Sequence, residues 1–408
     1  MSELTEQRME QVKLDASQKT RANLFNWRGQ FTPELIEYLL ECYATPDAII
    51  TDPFVGSGTV LIECARRGIA AHGFEINPAA YTMSKFYGLC NLPRPARREL
   101  LDCFERRLRL YARPVSALPL FGDGTAFRER HQNLTSLACD FFPTLERGWD
   151  KVLALNLLFR CEARKSGNLG EIVLSEWRSL ELAALDLPHT PATITARLCD
   201  ARLAHTQATV SPTLLLTSPP YINVFNYHQN HRALLEAVGW DVLKIAASEF
   251  GSNRKNRGNR FKTVIQYALD MEQALRSFWQ LLQDNGRMIL IIGRESNVRS
   301  SPFYNGTLVE NILEGMGGFI QEVKRERRFL NKFGMVIIED IFVYRKTEEP
   351  SANIIARRVA VQHLENALIG AQGEPRQDIY AAIAESDTVS ASPLFSPKDA
   401  YTHAANAS

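Results

Sequence analysis

Residues 48–59 read AIITDPFVGSGT, and this stretch decides the fold. Its first three residues are apolar and predict a buried strand, which the Asp-Pro pair interrupts before a tight turn with two glycines. Residues 59–67 have the apolar spacing of a helix, and Gly68 is a suitable stop. A second strand is predicted over 70–74, directly before the acid Glu75. A strand, a glycine-rich turn, a helix and a strand ending in an acid form half of a doubly wound nucleotide-binding sheet.

The same α/β pattern returns later in the chain. Strands are predicted over 194–199, 213–217 and 287–292, with two closing β segments over 319–328 and 335–344. Helices are predicted over 228–249, 263–283 and 306–316, and ahead of the glycine turn from Thr32 as N-cap with Pro33 in the first turn. Between the second and third strands, 97–112 and 148–164 are helical in pattern, which indicates a helical insertion.

These patterns divide the chain into four parts. We expect a polar N-terminal arm over 1–26, an α/β domain made of 27–81 and 195–347, and a helical insertion over 82–194. A C-terminal extension follows over 348–408, with one amphipathic stretch at 354–370 and a Ser/Ala/Pro-containing tail from residue 386 that is predicted to be disordered.

Composition limits the class of protein. The chain has 408 residues, 47 Lys and Arg, 46 Asp and Glu, and 45% hydrophobic residues, which predicts a globular protein with a large core. No apolar run approaches the roughly 20 residues that span a bilayer, and the polar N-terminus is unlike a signal peptide, so we expect an intracellular protein. The 7 cysteines include no CxxC pair or zinc-type cluster, so no disulfide framework and no metal are predicted.

The glycine turn indicates the chemistry of its ligand. The carboxylates of Asp52, at the end of the first strand, and of Glu75 are placed to accept hydrogen bonds from an amine and from ribose hydroxyls. The turn lacks both the G-x-G-x-x-G spacing of dinucleotide sites and the GK[ST] ending of triphosphate sites. A nucleoside that carries little phosphate fits best, and S-adenosylmethionine is the commonest such ligand.

A second constellation, Thr217-Ser-Pro-Pro-Tyr221, follows an apolar strand. Neither proline has an amide hydrogen, so the turn is stiff and offers fixed carbonyl acceptors. The Ser218 hydroxyl and these carbonyls can accept hydrogens from the exocyclic amine of a planar ring, while Tyr221 offers a face for stacking. Orienting the amine protons in this way exposes the nitrogen lone pair for direct attack on a methyl sulfonium.

Together, Asp52-Pro-Phe-Val-Gly-Ser-Gly58 and Thr217-Ser-Pro-Pro-Tyr221 resemble the cofactor and catalytic motifs of the amino-methylating DNA methyltransferases. These enzymes methylate N4 of cytosine or N6 of adenine, and the serine form of the catalytic motif resembles the cytosine-N4 branch. Arg28-Gly-Gln-Phe-Thr-Pro33 is similar to the segment that closes over the methionine end of the cofactor. The resemblance covers about 27–85 and 195–345. Here the cofactor motif comes first, whereas many cytosine-N4 enzymes have the opposite order.

The resemblance implies a Rossmann-like S-adenosylmethionine-dependent methyltransferase sheet, mostly parallel with one antiparallel closing strand. It implies site-specific methylation of the N4 amine of cytosine in double-stranded DNA after base flipping, in a restriction-modification or related host-defence system. A cognate restriction endonuclease is then a candidate partner, and a prokaryotic cytoplasm or nucleoid is the expected location. Catalytic roles are implied for Ser218, Pro219, Pro220 and Tyr221. Cofactor contacts are implied for Phe31, Thr32, Asp52, Phe54, Gly56, Ser57, Gly58, Thr59, Glu75 and Asp200.

Three other functions stay open at this point. RNA methyltransferases that modify guanine N2 in tRNA join a similar glycine turn to a Pro-Pro-Tyr turn, but usually with Asp where Ser218 stands here. Adenine-N6 methylation also usually goes with Asp or Asn at this position. A cofactor-binding fold that serves only as a DNA-binding or scaffold subunit is the third possibility.

Contacts with the nucleic acid are predicted for the loop at 251–262, which follows the catalytic motif and contains no acid. The chain's net charge is only +1, so a polyanion must meet a local basic patch of this kind. The loop's predicted nucleic-acid-binding residues are Arg254, Lys255, Arg257, Arg260 and Lys262. The helical insertion and the loop after Tyr221 are both candidates for reading the target sequence.

Overall fold

The computed structural model describes residues 10–16, 20–112, 131, 133–145, 148–164, 167–222, 226–251, 256, 258–331, 334–397 and 400–401. A 7-stranded sheet lies at its centre, with strands in the order β3-β2-β1-β4-β5-β9-β8. The strands of this sheet are β1 (Ile49–Asp52), β2 (Ala70–Glu75), β3 (Ile194–Leu198), β4 (Leu214–Thr217), β5 (Arg287–Gly293), β8 (Phe319–Leu330) and β9 (Val336–Lys346). A small hairpin made of β6 (Glu295–Val298) and β7 (Ser301–Tyr304) follows β5.

Strand direction in the sheet agrees with the predicted fold class. Strands β3, β2, β1, β4 and β5 are parallel to one another. Strand β9 is antiparallel to both β5 and β8 and closes the sheet. Chain order reverses between β1 and β4, and ligands of doubly wound sheets bind at the carboxyl ends of the strands on either side of such a point. The doubly wound, mostly parallel sheet is therefore confirmed.

The helices cover both faces of the sheet. They are α1 (Gln11–Asp15), α2 (Pro33–Tyr43), α3 (Thr59–Arg67), α4 (Pro78–Phe86), α5 (Arg94–Ala112), α6 (Leu134–Phe141), α7 (Trp149–Glu162), α8 (Leu169–Asp186), α9 (Ala204–Gln207), α10 (Arg232–Ala237), α11 (Val242–Ala246), α12 (Lys262–Leu281), α13 (Asn305–Met316), α14 (Ala356–Ala367) and α15 (Gly373–Ala384). Alternation along the strands sends Leu214 and Leu216 into one core and Leu215 into the other. The first core includes residues of α2–α8, and the second includes residues of α12–α15.

The insertion between β2 and β3 is helical, as predicted, in the part of it that the structure describes. Its helices α5 and α8 are joined by the buried Arg97, which donates hydrogen bonds to the carbonyls of Ala184 and Leu187 at 2.9 and 2.7 Å. Helix α7 reaches the segment that follows the catalytic motif, where Glu162 pairs with His231 at 2.5 Å. The insertion is thus packed on one sheet face and also contacts the segment that includes α10.

Two regions differ from the sequence prediction. The single helix expected over 228–249 is replaced by the short helices α10 and α11, because Gly239 between them has a positive φ of 94°. Disorder was predicted from residue 386, but residues 386–397 are described and packed against the α/β domain. Arg202 donates hydrogen bonds to the carbonyls of Ser392 and Pro393 at 2.7 and 2.8 Å. Among the described helices, none combines the length and the apolar character that crossing a bilayer requires.

Candidate active site

A cleft of about 840 Å³, including space open to solvent, lies at the carboxyl ends of the central strands. Both sequence motifs contribute to it. Of the residues with implied roles, the cleft is lined by Phe31, Phe54, Gly56, Ser57, Thr59, Glu75, Asp200, Ser218 and Pro220. Thr32, Asp52, Gly58, Pro219 and Tyr221 are not part of its lining. The structure therefore brings the two motifs, which are more than 150 residues apart in sequence, to one site.

Asp52 connects the two motifs from behind the cleft. Its Oδ1 accepts hydrogen bonds from the Phe54 amide at 3.1 Å and from the Thr217 hydroxyl at 2.5 Å. Burial raises the pKa of Asp52 to about 7, and these two hydrogen bonds act in the opposite direction. Because Thr217 directly precedes Ser218, Asp52 fixes the position of the catalytic turn relative to the glycine turn.

Glu75 ends β2 and forms one wall of the cleft. Its carboxylate accepts from the amides of Gly56, Ile76 and Asn77 at 2.9, 2.9 and 2.8 Å. Burial raises its pKa to about 7, the amides lower it, and the nearby charge of Glu249 raises it further. Oε1 accepts from both Ile76 and Asn77, so the remaining lone pair is on Oε2, which can accept from a ligand hydroxyl as the predicted ribose-binding role requires.

The segment before α2 lies over the glycine turn. Gln30 accepts a hydrogen bond from the Ser57 hydroxyl at 2.8 Å, and Asn23 accepts one from Thr59 at 3.1 Å. Asn23 also donates to the carbonyl of Phe31 at 2.7 Å. The adjacent Thr32 is at the N-cap position of α2, and its buried hydroxyl has no hydrogen-bond partner among the described residues.

Two pairs of aromatic rings line the cleft. Trp27 and Tyr227 stack with ring centroids 5.9 Å apart and an interplanar angle of 16°. A Cβ on Gly56 would lie 3.5 Å from the indole of Trp27, so the turn and this ring are in close contact. In the second pair, Phe54 meets Phe250 edge to face at 5.3 Å. These walls suit a planar ring system.

Asp200 lines the cleft but also belongs to a buried ion-pair network. Both of its oxygens pair with Arg202, at 2.9 and 2.6 Å, and Oδ2 accepts from the Phe395 amide at 3.1 Å. Arg202 also pairs with Asp270 at 2.9 Å. The acid predicted to contact adenine is therefore held in place by the C-terminal extension.

The catalytic motif ends in a half-buried chain of hydrogen bonds. The Ser218 hydroxyl lies 3.2 Å from the hydroxyl of Tyr221, which lies 3.5 Å from Oε1 of Glu339 on β9. The Tyr221 ring packs on Gly293, where a Cβ would approach it to 2.7 Å. Burial raises the pKa of Tyr221 well above its usual value, so the hydroxyl stays protonated. Stacking of Tyr221 on a flipped base remains a prediction.

Three of the basic loop's five predicted nucleic-acid-binding residues, Arg254, Lys255 and Arg257, lie outside the described residues. Arg260 is exposed, whereas Lys262 forms an ion pair with Glu385 of the C-terminal extension. The nucleic-acid role of this loop stays a prediction.

The cleft residues that sequence reasoning missed include three consecutive ones, Ser248, Glu249 and Phe250. Glu249 is buried, lies 3.0 Å from Nδ1 of His228 and accepts a hydrogen bond from Asn77 at 3.3 Å. Neighbouring Asn77 also caps α4 with its side chain. The one signal in the sequence was the acid Glu249 close to Gly251, and an acid near a glycine is too common a pattern to indicate a ligand site.

The charges of the cleft favour a nucleoside with a positive charge over a polyphosphate. Among the described residues that line it, Arg28 alone has a cationic side chain, whereas Glu75, Asp200 and Glu249 are acids. A triphosphate site needs basic side chains or a ring of free amides, and the amide of Gly56 is already bonded to Glu75. Cys199 also lines the cleft, but burial raises its pKa to about 12, which disfavours a thiolate nucleophile.

We predict that Gly58→Ala destabilises the fold more than the matched change Gly68→Ala. Both glycines have a positive φ, 94° and 70°, so both substitutions incur about 1–2 kcal/mol of backbone strain. Only at Gly58 would the new Cβ lie 2.7 Å from the ring of Tyr87, whereas nothing lies within 4 Å at Gly68. Urea unfolding of both variants should show an additional loss of about 1–3 kcal/mol for Gly58→Ala. Equal losses would show that the ring moves away freely.

The fold and the cleft define an α/β protein with a site for a nucleoside-like ligand. Residues 7–86 match the N6/N4 family model described as "DNA methylase". The Type II methyltransferase M.MjaII of Methanocaldococcus jannaschii is 44% identical over 52 residues, which are 13% of this chain and 10% of that protein. The chain thus spans about a tenth of the curated relative it matches. Over residues 7–86 the chain is therefore similar to the N4/N6 DNA methyltransferases.

Solved structures are similar only at a low level. TrmN from Thermus thermophilus is 15% identical with a TM-score of 0.33, over 78% of this chain and 50% of that one. An S-adenosylmethionine-dependent methyltransferase from Methanosarcina mazei is 9% identical with a TM-score of 0.32, over 76% of this chain and 98% of that one. Scores this low carry no argument about substrate or mechanism.

Proposed function

We propose that this protein is an S-adenosylmethionine-dependent DNA methyltransferase that modifies the exocyclic N4 amine of cytosine. The observation that carries the proposal is that Ser218 and Pro220 line the same cleft as Glu75 and the glycine turn. A methyl donor held at Glu75 and an amine held at Ser218 would then share one cavity. The family match over residues 7–86 supports the substrate class.

The residues of the cleft fit the proposed cofactor. Glu75 would hold the ribose hydroxyls, the aromatic walls of Phe54 and Phe250 would contain the adenine, and the segment around Gln30 would cover the methionine end. When bound, S-adenosylmethionine would supply a methyl sulfonium: the amine nitrogen would take the methyl group, sulfur would keep the electrons of the C–S bond, and the amine proton would pass to solvent. The acids of the cleft favour this cation over its neutral product.

The role of the catalytic turn is to orient the target amine. The Ser218 oxygen and the carbonyl of Pro219 would accept the two amine hydrogens, so that the nitrogen lone pair points into the cleft. The base must leave the duplex to reach this site, and stacking on an aromatic ring such as Tyr221, worth ~1–3 kcal/mol, would offset part of that cost. Exposed Arg260, together with the basic residues around it in sequence, would contact flanking phosphates.

Nucleoside mass spectrometry tests the proposal. The protein is incubated with S-adenosylmethionine and, in separate reactions, with unmethylated duplex DNA and unmodified tRNA. N4-methylcytosine from the DNA is the expected product. N6-methyladenine from DNA would change the target base, and methylguanosine from tRNA alone would replace DNA by RNA as the substrate. A role in restriction-modification, with a cognate endonuclease, would follow only if methylation is confined to a defined sequence.

Cofactor binding is a separate test, because it distinguishes an enzyme from a scaffold subunit. Calorimetric titration with S-adenosylmethionine should show binding without any nucleic acid. A chain that has retained the fold only as a scaffold would show none.

We predict that cofactor affinity rises about tenfold between pH 6 and pH 8. The pKa of Glu75 is raised to about 7, so its carboxyl is mostly protonated at pH 6 and mostly ionised at pH 8. The ionised form keeps the free Oε2 lone pair as an acceptor for the ribose and attracts a cation, so binding is accompanied by proton release below pH 7. Calorimetry at several pH values measures the effect.

Two controls assign this pH dependence to Glu75. Methylthioadenosine has the adenine and the ribose but no amino acid part, and it should show the same trend. Glu75→Gln should bind both ligands more weakly and with little change between pH 6 and pH 8. If the pH dependence of binding persists in Glu75→Gln, a group other than Glu75 causes it.

A further inference from the structure

We propose that Glu339 is a positioning residue for the catalytic turn, acting through Tyr221 to make the Ser218 oxygen an acceptor. The kinetic part of this inference rests on the proposed function. Glu339 lies on β9, more than a hundred residues from the motif in sequence, and it has no counterpart among the residues that the sequence motifs single out. Its link to the site is the chain of three oxygen atoms from Ser218 to Tyr221 to Glu339.

The direction of the hydrogen bonds follows from the acceptor at the end of the chain. A carboxylate can only accept, so the Tyr221 hydroxyl, 3.5 Å away, directs its single hydrogen at Glu339. The Tyr221 oxygen then faces Ser218 with a lone pair, and the Ser218 hydroxyl, 3.2 Å away, directs its own hydrogen at Tyr221. Both serine lone pairs are left for the target amine.

This direction matters because a serine hydroxyl can rotate and either donate or accept a hydrogen bond. If the Ser218 hydrogen pointed into the cleft, it would face the amine nitrogen and bind the lone pair that must attack the methyl group. The direction of these hydrogen bonds therefore decides whether the turn exposes or blocks the lone pair of the target amine.

Surrounding residues keep Glu339 in position. Burial raises the pKa of Glu339 above its usual value, whereas buried Arg327 on β8, 3.3 Å from its Oε2, and the Tyr221 hydroxyl act in the opposite direction and favour the ionised form. Pairing of Glu339 with Gly293 across β5 and β9 fixes its backbone. The ring of Tyr221 packs against that same glycine, where any side chain would displace it. Sheet register thus brings the carboxylate to the hydroxyl.

A double-mutant cycle tests the inference with the full-length protein, a methyl-accepting nucleic acid and S-adenosylmethionine. Tyr221→Phe and Glu339→Gln should each lower kcat about ten- to a hundredfold, the range that corresponds to losing one hydrogen bond to a charged group. The KM for the cofactor should stay within about twofold. The double variant should be no slower than Tyr221→Phe, because Glu339 acts only through the tyrosine hydroxyl.

The inference would be overturned if the losses in kcat of the two variants were additive. It would also be overturned if a higher KM for the cofactor explained the loss of activity, and Glu339 would then have a general structural role. Urea unfolding of each variant separates loss of fold from loss of positioning.

A second measurement needs neither substrate nor activity. Neutron diffraction of the deuterated free protein should show the Tyr221 deuterium directed at Glu339 and the Ser218 deuterium directed at Tyr221. A Tyr221 deuterium directed at Ser218 would overturn the inference even if DNA is methylated. If no nucleic acid is methylated, the proposed function fails, while this measurement still decides the direction of the chain.

Discussion

Replacing Ser218 with alanine is expected to lower kcat at least about 100-fold, with the affinity for S-adenosylmethionine unchanged. The hydroxyl lies at the edge of the cleft, and Tyr221 is its hydrogen-bond partner in the described structure. Removing it leaves the Asp52–Thr217 hydrogen bond and the Glu75 wall intact, so the fold and the cofactor site are preserved. The target amine loses one of its two acceptors, which is an interaction needed only for the reacting geometry.

The measurement is single-turnover methylation beside calorimetric titration of the cofactor. Ser211→Ala, at an exposed position shortly before β4, is the matched control and should behave as the unmodified protein. Near-normal turnover of Ser218→Ala would show that the serine does not hold the amine. Loss of cofactor binding would show that the hydroxyl acts on the cofactor instead.

Local sequence determined much of this site. The residues of the glycine turn and of the catalytic turn sit at the ends of short apolar strands, β1 and β4, whose boundaries are given by Asp-Pro and Pro-Pro pairs. Parallel strands bring their carboxyl ends to one edge, so the meeting of the two motifs could be predicted without knowing any contact.

What the sequence could not predict depends on contacts between distant residues. The hairpin β6–β7 was missed because Arg299 and Ser300 have positive φ values of 49° and 67° in its turn, where sequence rules expect Asn or Gly. The break between α10 and α11 accompanies a bridge from Trp240 to Tyr401, 161 positions away. Glu249 likewise reaches the cleft through His228 and Asn77, which no local pattern connects.

The C-terminal extension is the largest such difference, and the network around Arg202 explains it. The guanidinium is buried between the carboxylates of Asp200 and Asp270 and also donates to the carbonyls of Ser392 and Pro393. Asp270 in turn accepts from the amide and the hydroxyl of Ser392 at 2.7 and 2.6 Å. A polar tail with little to bury is ordered here because it satisfies charges inside the protein.

We expect Arg202→Ala to lower the free energy of unfolding by about 3–5 kcal/mol. The change leaves two carboxylates buried without their counter-charge, although burial already raises the pKa of Asp270 to about 6. Urea unfolding measures the loss. Arg232→Ala removes an exposed i,i+4 pair with Glu236 and, as the matched control, should cost only about 0.3–0.5 kcal/mol.

If Arg202→Ala does not fold, a milder variant can test the same network. Ser392→Ala removes one hydrogen bond to Asp270 and should cost about 1–3 kcal/mol. It should also expose residues 386–397 to limited proteolysis. Since the amide of Phe395 helps to hold Asp200 at the cleft, loosening this segment should weaken cofactor binding as well. If residues 386–397 become sensitive to proteolysis while the cofactor affinity is unchanged, Arg202 alone positions Asp200. The extension would then stabilise the fold without shaping the site.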